Sequence, residues 1–117
     1  MASGTSYAGS YNGSCESSNG GEVCLYYNAN YSGAVYDTLY SKPDYTGTYY
    51  GTNTSIDNSV SSSWNRDPDT TVWFFTYSNY TGFSLGLSGG GKQNWGSLGE
   101  DNTWSSHCFA SNSTCPK

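Results

Sequence analysis

Two short strings each occur twice in this chain, in the same order, and that internal duplication narrows what the chain can fold into. The first string is an aromatic, four residues, an aromatic, one residue and a glycine. It reads Tyr26-Tyr27-Asn28-Ala29-Asn30-Tyr31-Ser32-Gly33 in one half and Phe75-Thr76-Tyr77-Ser78-Asn79-Tyr80-Thr81-Gly82 in the other. The second is Asp57-Asn58-Ser59-Val60-Ser61-Ser62, repeated as Asp101-Asn102-Thr103-Trp104-Ser105-Ser106. Between the halves lies Asn65-Arg66-Asp67-Pro68-Asp69-Thr70, polar and proline-containing as a connector should be. It is too short to be a flexible linker, so the halves are expected to pack together as one sandwich. The first spans about residues 22–65 and the second about 71–109, with strands near 23–27, 34–36, 60–64, 72–77, 83–87 and 104–108.

The composition agrees with strands. Ten Leu, Val and Ile residues stand against twelve Tyr, four Trp and four Phe in 117 residues, so burial must rest on rings whose polar edges need partners. Aromatic and Thr-rich segments broken by Gly, Ser, Asn and Asp clusters favour strands and turns over helices. The expected fold class is all-β.

Four cysteines, Cys15, Cys24, Cys108 and Cys115, form an even set without zinc spacing, and His107 is the single histidine. Two disulfides formed in an oxidising, extracellular setting are expected. The local pairings Cys15–Cys24 and Cys108–Cys115 are favoured, the latter closing a segment over 108–117, with long-range pairings left open. The formal net charge of −5, with four Lys and Arg in all, excludes nucleic acid and anionic membrane surfaces as partners. No apolar run reaches transmembrane length. The opening Met-Ala-Ser-Gly-Thr-Ser is no signal peptide and is read as a start codon on a mature, secreted form. Residues 1–21 are Gly/Ser-rich and are expected to be a flexible lead-in, or else an arm that docks Tyr7 and Tyr11 on a partner. The remainder, 22–117, is expected to be one monomeric domain.

The repeated strings carry the chemistry. In the first, an aromatic at a strand end, a tight hairpin, a second aromatic and a glycine let Gly33 or Gly82 take a positive φ. In the second, Asp and Asn side chains, a Ser hydroxyl and backbone carbonyls are all hard oxygen donors, the set that Ca²⁺ takes. Val60 or Trp104, facing the other way, anchors the loop to the core. The plain alternative is an Asx-turn leading into a Ser-rich strand.

Together these strings resemble those of microbial βγ-crystallins. The Greek-key motif of that family carries Tyr/Phe-x-x-x-x-Tyr/Phe-x-Gly, and its calcium-binding members carry Asn/Asp-Asn/Asp-x-x-Ser/Thr-Ser. The resemblance spans about residues 22–109. It implies a Greek-key β-sandwich of two motifs whose loops cross-supply ligands to two calcium ions. The implied ligands are Asp57, Asn58, Ser59 and Ser61, with Asp101, Asn102, Thr103 and Ser105. Ser59 and Thr103 would offer carbonyls, Ser61 and Ser105 hydroxyls, and each hairpin, near 28–30 and 77–79, a further carbonyl. The phrase Glu22-Val23-Cys24-Leu25-Tyr26-Tyr27 is also similar to secreted actinobacterial proteins grouped with a metalloproteinase inhibitor of crystallin fold. That likeness implies a peptidase inhibitor or docking adaptor with a secreted peptidase or another extracellular protein as partner, and residues 42–54 are the candidate reactive loop.

An enzyme is not expected. His107 reads as a structural surface residue, and the carboxylates read as calcium ligands or turn residues rather than a glycosidase pair. Gly89-Gly90-Gly91-Lys92 lacks P-loop spacing and reads as a hairpin. Sequons at Asn12, Asn30, Asn53, Asn79 and Asn112 matter only in a eukaryotic host. If exposed, Tyr45, Tyr49, Tyr50 and Trp95 would stack on sugars, which makes a cell-wall or carbohydrate-binding module the remaining alternative.

Overall fold

In the computed structural model, which describes residues 10–117, each aromatic–glycine string closes a β-hairpin. β1 (Val23–Asn28) turns into β2 (Ser32–Thr38), and β4 (Val72–Tyr77) turns into β5 (Thr81–Leu87). The turns bend because Asn30 and Tyr31, and likewise Asn79 and Tyr80, hold successive positive φ values of 57–61°. That pair of dihedrals matches the twist of the flanking strands, and Asn tolerates it. Gly33 and Gly82 follow at φ +79° and +84°. A Cβ there would lie 2.4 Å from Asn28 Nδ2 or Thr76 Oγ1, so a side chain would have to displace that neighbour and hold a strained φ, which glycine avoids.

The remaining strands are β3 (Ser62–Asn65), β6 (Lys92–Asn94) and β7 (Ser106–Phe109). They build two antiparallel sheets, one ordered β2-β1-β3-β6 and the other β5-β4-β7. β6 comes from the second half of the chain yet extends the sheet of the first, pairing Asn94 with Ser62 and Lys92 with Trp64. The exchange is mutual. Lys42 N donates to His107 O at 2.8 Å, His107 N to Lys42 O at 3.0 Å, and Tyr45 N to Ser105 O at 2.9 Å, so a segment of the first half lines the edge of β7. Each half therefore completes the other's sheet, and the whole is a Greek-key β-sandwich of two motifs. The expected strands all overlap observed ones, whereas β6 was not anticipated. Its Lys-Gln-Asn sequence carries no apolar residue, so only its pairing with β3 makes it a strand.

Between the sheets lie Val23, Leu25, Ile56, Val60, Val72, Phe74, Leu87 and Phe109, with the rings of Tyr45, Tyr49, Trp95 and Trp104 filling the remaining volume. Trp104 meets Trp95 edge-on at 5.1 Å between ring centroids and Phe74 at 5.8 Å. The buried polar edges find partners, as burial requires. Tyr49 OH bonds Ser59 Oγ at 2.8 Å, and Trp95 Nε1 donates to Ser63 Oγ at 3.0 Å. Among the described residues, Trp104 Nε1 is the one buried side-chain polar atom without a partner. Tyr45, Tyr49 and Trp95 are thus core residues, and of the four candidate sugar-stacking rings only Tyr50 is exposed.

His107, expected at the surface, is fully buried instead. Its Nε2 donates to Tyr40 O at 2.9 Å, and its Nδ1 accepts from Tyr45 OH at 2.8 Å, an arrangement that fits a neutral ring with one proton. Burial lowers its pKa to about 4. The chain around β7 carries enough apolar neighbours to enclose the imidazole, which the polar run Ser105-Ser106-His107 does not announce.

Residues 10–21, expected as a flexible lead-in, are held to the first sheet. Two buried carboxyl groups do most of this work. Asp37 accepts from Asn12 N at 2.9 Å and Gly13 N at 2.8 Å, and Glu22 accepts from Glu16 N at 2.7 Å and from Ser10 N. Arg66 Nη1 donates to Cys15 O at 2.8 Å. The structure pairs Cys15 with Cys24 and Cys108 with Cys115. Tyr11 packs its ring on Tyr36 at 4.9 Å and Tyr50 at 5.3 Å. Tyr7 lies outside the described residues.

Candidate metal centre

The two Asp-Asn strings form matched turns leading into β3 and β7. Asn58 and Asn102 sit at φ 54° and 61°, a left-handed conformation that Asn adopts at low cost. Val60 and Trp104, both fully buried, pin each turn to the core. The loops then bind each other reciprocally. Asn58 N donates to Trp104 O, and Asn102 N donates to Val60 O, both at 3.1 Å.

The side chains repeat the exchange. Ser105 Oγ lies 3.3 Å from Asn58 Oδ1, and Ser61 Oγ lies 3.4 Å from Asn102 Oδ1. Within each loop the Asn amide nitrogen lies 3.4 Å from the preceding Asp carboxylate. Two oxygen clusters result, one of Asp57 and Asn58 with Ser105, the other of Asp101 and Asn102 with Ser61. The four Asp and Asn residues are exposed, Ser61 is half-buried and Ser105 is buried, so both clusters open to solvent over a rigid floor.

Ser59 and Thr103 use their hydroxyls within the protein. Ser59 Oγ donates to Ser55 O at 2.7 Å, and Thr103 Oγ1 donates to Glu100 O at 2.9 Å. What these positions have left to offer a metal is a carbonyl. Ser62 and Ser106, which were not among the candidate ligands, tie each loop to its hairpin. Ser62 Oγ donates to Asn28 O at 2.7 Å and accepts from Tyr31 N at 2.9 Å. Ser106 Oγ donates to Tyr77 O at 2.7 Å and accepts from Tyr80 N at 3.2 Å. The signal for this role was the second serine that ends both strings. Of the carbonyls expected from the hairpins, those of Asn28 and Tyr77 are therefore already engaged. Ala29 O and Ser78 O each accept a neighbouring hydroxyl at 2.7 Å.

Among the described residues, no three His, Cys, Asp or Glu side chains gather as a metal-ligating group. Each cluster instead holds one carboxylate with neutral oxygens. That set does not suit zinc, which takes nitrogen and sulfur, and it does suit calcium at modest affinity, since affinity rises with ligand charge.

Residues 42–54, the candidate reactive loop, form a braced excursion. Tyr45 and Tyr49 anchor it in the core, Tyr49 N donates to Thr54 O at 3.1 Å, and Tyr50 N donates to Val35 O at 2.8 Å. Pro43 and Asp44, before the first anchor, and Thr46 and Gly47, between the two, remain exposed.

The profile of peptidase inhibitor family I36 matches residues 12–86, which include both hairpins and the first Asp-Asn loop. Solved structures share the fold. One, described under the evolution of the eye lens βγ-crystallin domain fold, superposes with a TM-score of 0.65 at 20% identity, covering 76% of this chain and 84% of that one. A βγ-crystallin from an archaeon gives 0.59 at 29% identity, over 75% and 95% of the two chains. IPSE/alpha-1 from Schistosoma mansoni eggs gives 0.55 at 19% identity, over 75% and 82%. No curated protein matches the sequence.

Proposed function

The chain belongs to peptidase inhibitor family I36, and from that premise we propose a secreted, non-catalytic inhibitor of an extracellular peptidase, with two calcium ions bracing its scaffold. The observation that supports the calcium reading is the reciprocity of the loops, in which each Asn faces the serine of the other string. Asp57, Asn58 and Ser105 would hold one ion, and Asp101, Asn102 and Ser61 the other, with carbonyls from Ser59 and Thr103. Bound calcium supplies the positive charge that makes a cluster of outward-facing oxygens favourable. The chain's own part is to hold those oxygens in place, through the buried side chains of Val60 and Trp104 and the serine tethers to the hairpins.

Thermal unfolding with excess EDTA and then with millimolar CaCl₂, followed by calorimetric titration, tests this. The expected result is a rise in midpoint that grows with the excess of calcium over its dissociation constant, and about two sites in the micromolar to millimolar range. An unchanged midpoint would reduce the strings to Asx-turns.

The inhibitor reading is supported by the family match. Two disulfides in so short a chain favour an extracellular setting. The only histidine is buried with both ring nitrogens bonded, so it is not available as a general base. A screen against metallo-, serine and cysteine peptidases tests this reading, and inhibition of none of them would end it.

A further inference from the structure

Of the large apolar side chains at the surface, most rest on something. Tyr11 and Tyr50 meet edge to face, Tyr27 lies against Tyr49, and Phe83 lies over Trp104. Tyr77, 67% exposed, lies so close over Gly82 that a Cβ there would stand 2.6 Å from its ring. Tyr40 is equally exposed, and its backbone is braced on both sides.

Tyr40 N donates to Thr38 Oγ1 at 3.0 Å, and Tyr40 O accepts from Nε2 of the buried His107 at 2.9 Å. The next residue, Ser41, accepts from Phe109 N at 2.9 Å and bonds Asn112 within the Cys108–Cys115 loop. Lys42 then pairs with His107 through both of its backbone groups. A bulky amphipathic ring thus stands out from a main chain with little freedom left to lose. Tyr is prominent among the residues that dominate interface energetics, and a preorganised anchor loses little entropy on docking.

We propose that Tyr40 is the anchor side chain of the inhibitory surface, entering the primary specificity pocket of a peptidase that accepts aromatic residues. The proposal rests on the inhibitor reading and names its contact. Because the carbonyl of Tyr40 is bound inward by His107, the ring is presented without offering the Tyr40–Ser41 bond for cleavage. The expected partner surface is a deep apolar pocket, and the inhibitor should leave it intact.

The test uses the whole oxidised protein against chymotrypsin, thermolysin and papain. The variants are Tyr40→Ala, Tyr40→Phe and Tyr77→Ala, each first shown to keep the parent's thermal midpoint. The expected result is that Tyr40→Ala raises the inhibition constant about 30-fold or more. Tyr40→Phe and Tyr77→Ala should stay within a few-fold of the parent, and mass spectrometry should recover the inhibitor uncut after long incubation. Undiminished inhibition by Tyr40→Ala would overturn the anchor while leaving the inhibitor reading standing. Cleavage after Tyr40 would overturn the protected carbonyl. If the parent inhibits none of the three, the inhibitor reading itself fails and the anchor falls with it.

Discussion

Ser62 and Ser106 each use one hydroxyl twice, giving a hydrogen bond to a hairpin carbonyl and taking one from a hairpin amide. Both serines are buried. Replacing either by alanine would leave a backbone donor and acceptor without that partner, at a cost of about 1–3 kcal/mol. Urea unfolding of Ser62→Ala and Ser106→Ala should therefore show similar losses at an unchanged denaturant slope. A loss confined to one of them would mean that the hairpins are not equivalently tethered. The doubled serine was plain in the sequence, but its use was not, because a hydroxyl's partners depend on which hairpin folds back over it. Asn58 and Asn102 were easier to read, since Asp-Asn is a turn signal wherever it occurs.

At the scale of elements, the two Asp-Asn loops are legible one by one, whereas their crossing is not. Each serine serves the cluster of the opposite loop, which separates local from crossed ligation by experiment. On the proposed calcium reading, Ser105→Ala should weaken binding at the cluster of Asp57 and Asn58 more than at that of Asp101 and Asn102, and Ser61→Ala should do the reverse. Calorimetric titration with site assignment by NMR of the Asn58 and Asn102 side-chain amides reads this directly. Loss at the serine's own loop would show that the ligands are not exchanged. The hairpins β1–β2 and β4–β5 were predictable because their signals lie within eight consecutive residues. β6 was not, because its only reason to be a strand is the exposed edge of β3, a partner about thirty residues away.

For the molecule as a whole, two buried titratable groups act in opposite directions on stability. His107 has its pKa lowered by burial from 6.5 to about 4, so its contribution is present above pH 6.5 and is lost as pH falls towards 4. Glu22 has its pKa raised by burial, and by its bond with Asp37, from 4.5 to about 8. Its contribution is present below pH 4.5 and is lost as pH rises towards 8. Between about 4.5 and 6.5 the two slopes offset each other, and from 6.5 to 8 the Glu22 loss stands alone. The thermal midpoint should therefore be flat in the first window and fall in the second, and His107→Gln should extend the fall down to about pH 4.5. A parent midpoint that climbs from pH 6.5 to 8 would contradict the assignment to Glu22. The exchange of edge segments carries a second prediction at this scale. Neither residues 1–65 nor 66–117 should fold alone, since each half lacks the segment that completes its sheet, and circular dichroism of the separate halves with and without mixing checks this. Taken alone, the sequence settled everything encoded locally: the all-β class from aromatic and turn composition, the duplication, the hairpins from consecutive turn residues, and the oxygen-rich loops. Only the tertiary structure decided which half completes which sheet, that His107 is enclosed, that Glu22 and Asp37 hold residues 10–16, and that Tyr40 stands clear. Those outcomes depend on burial and on hydrogen-bond partners far apart along the chain, and neither is a property of any short stretch of residues.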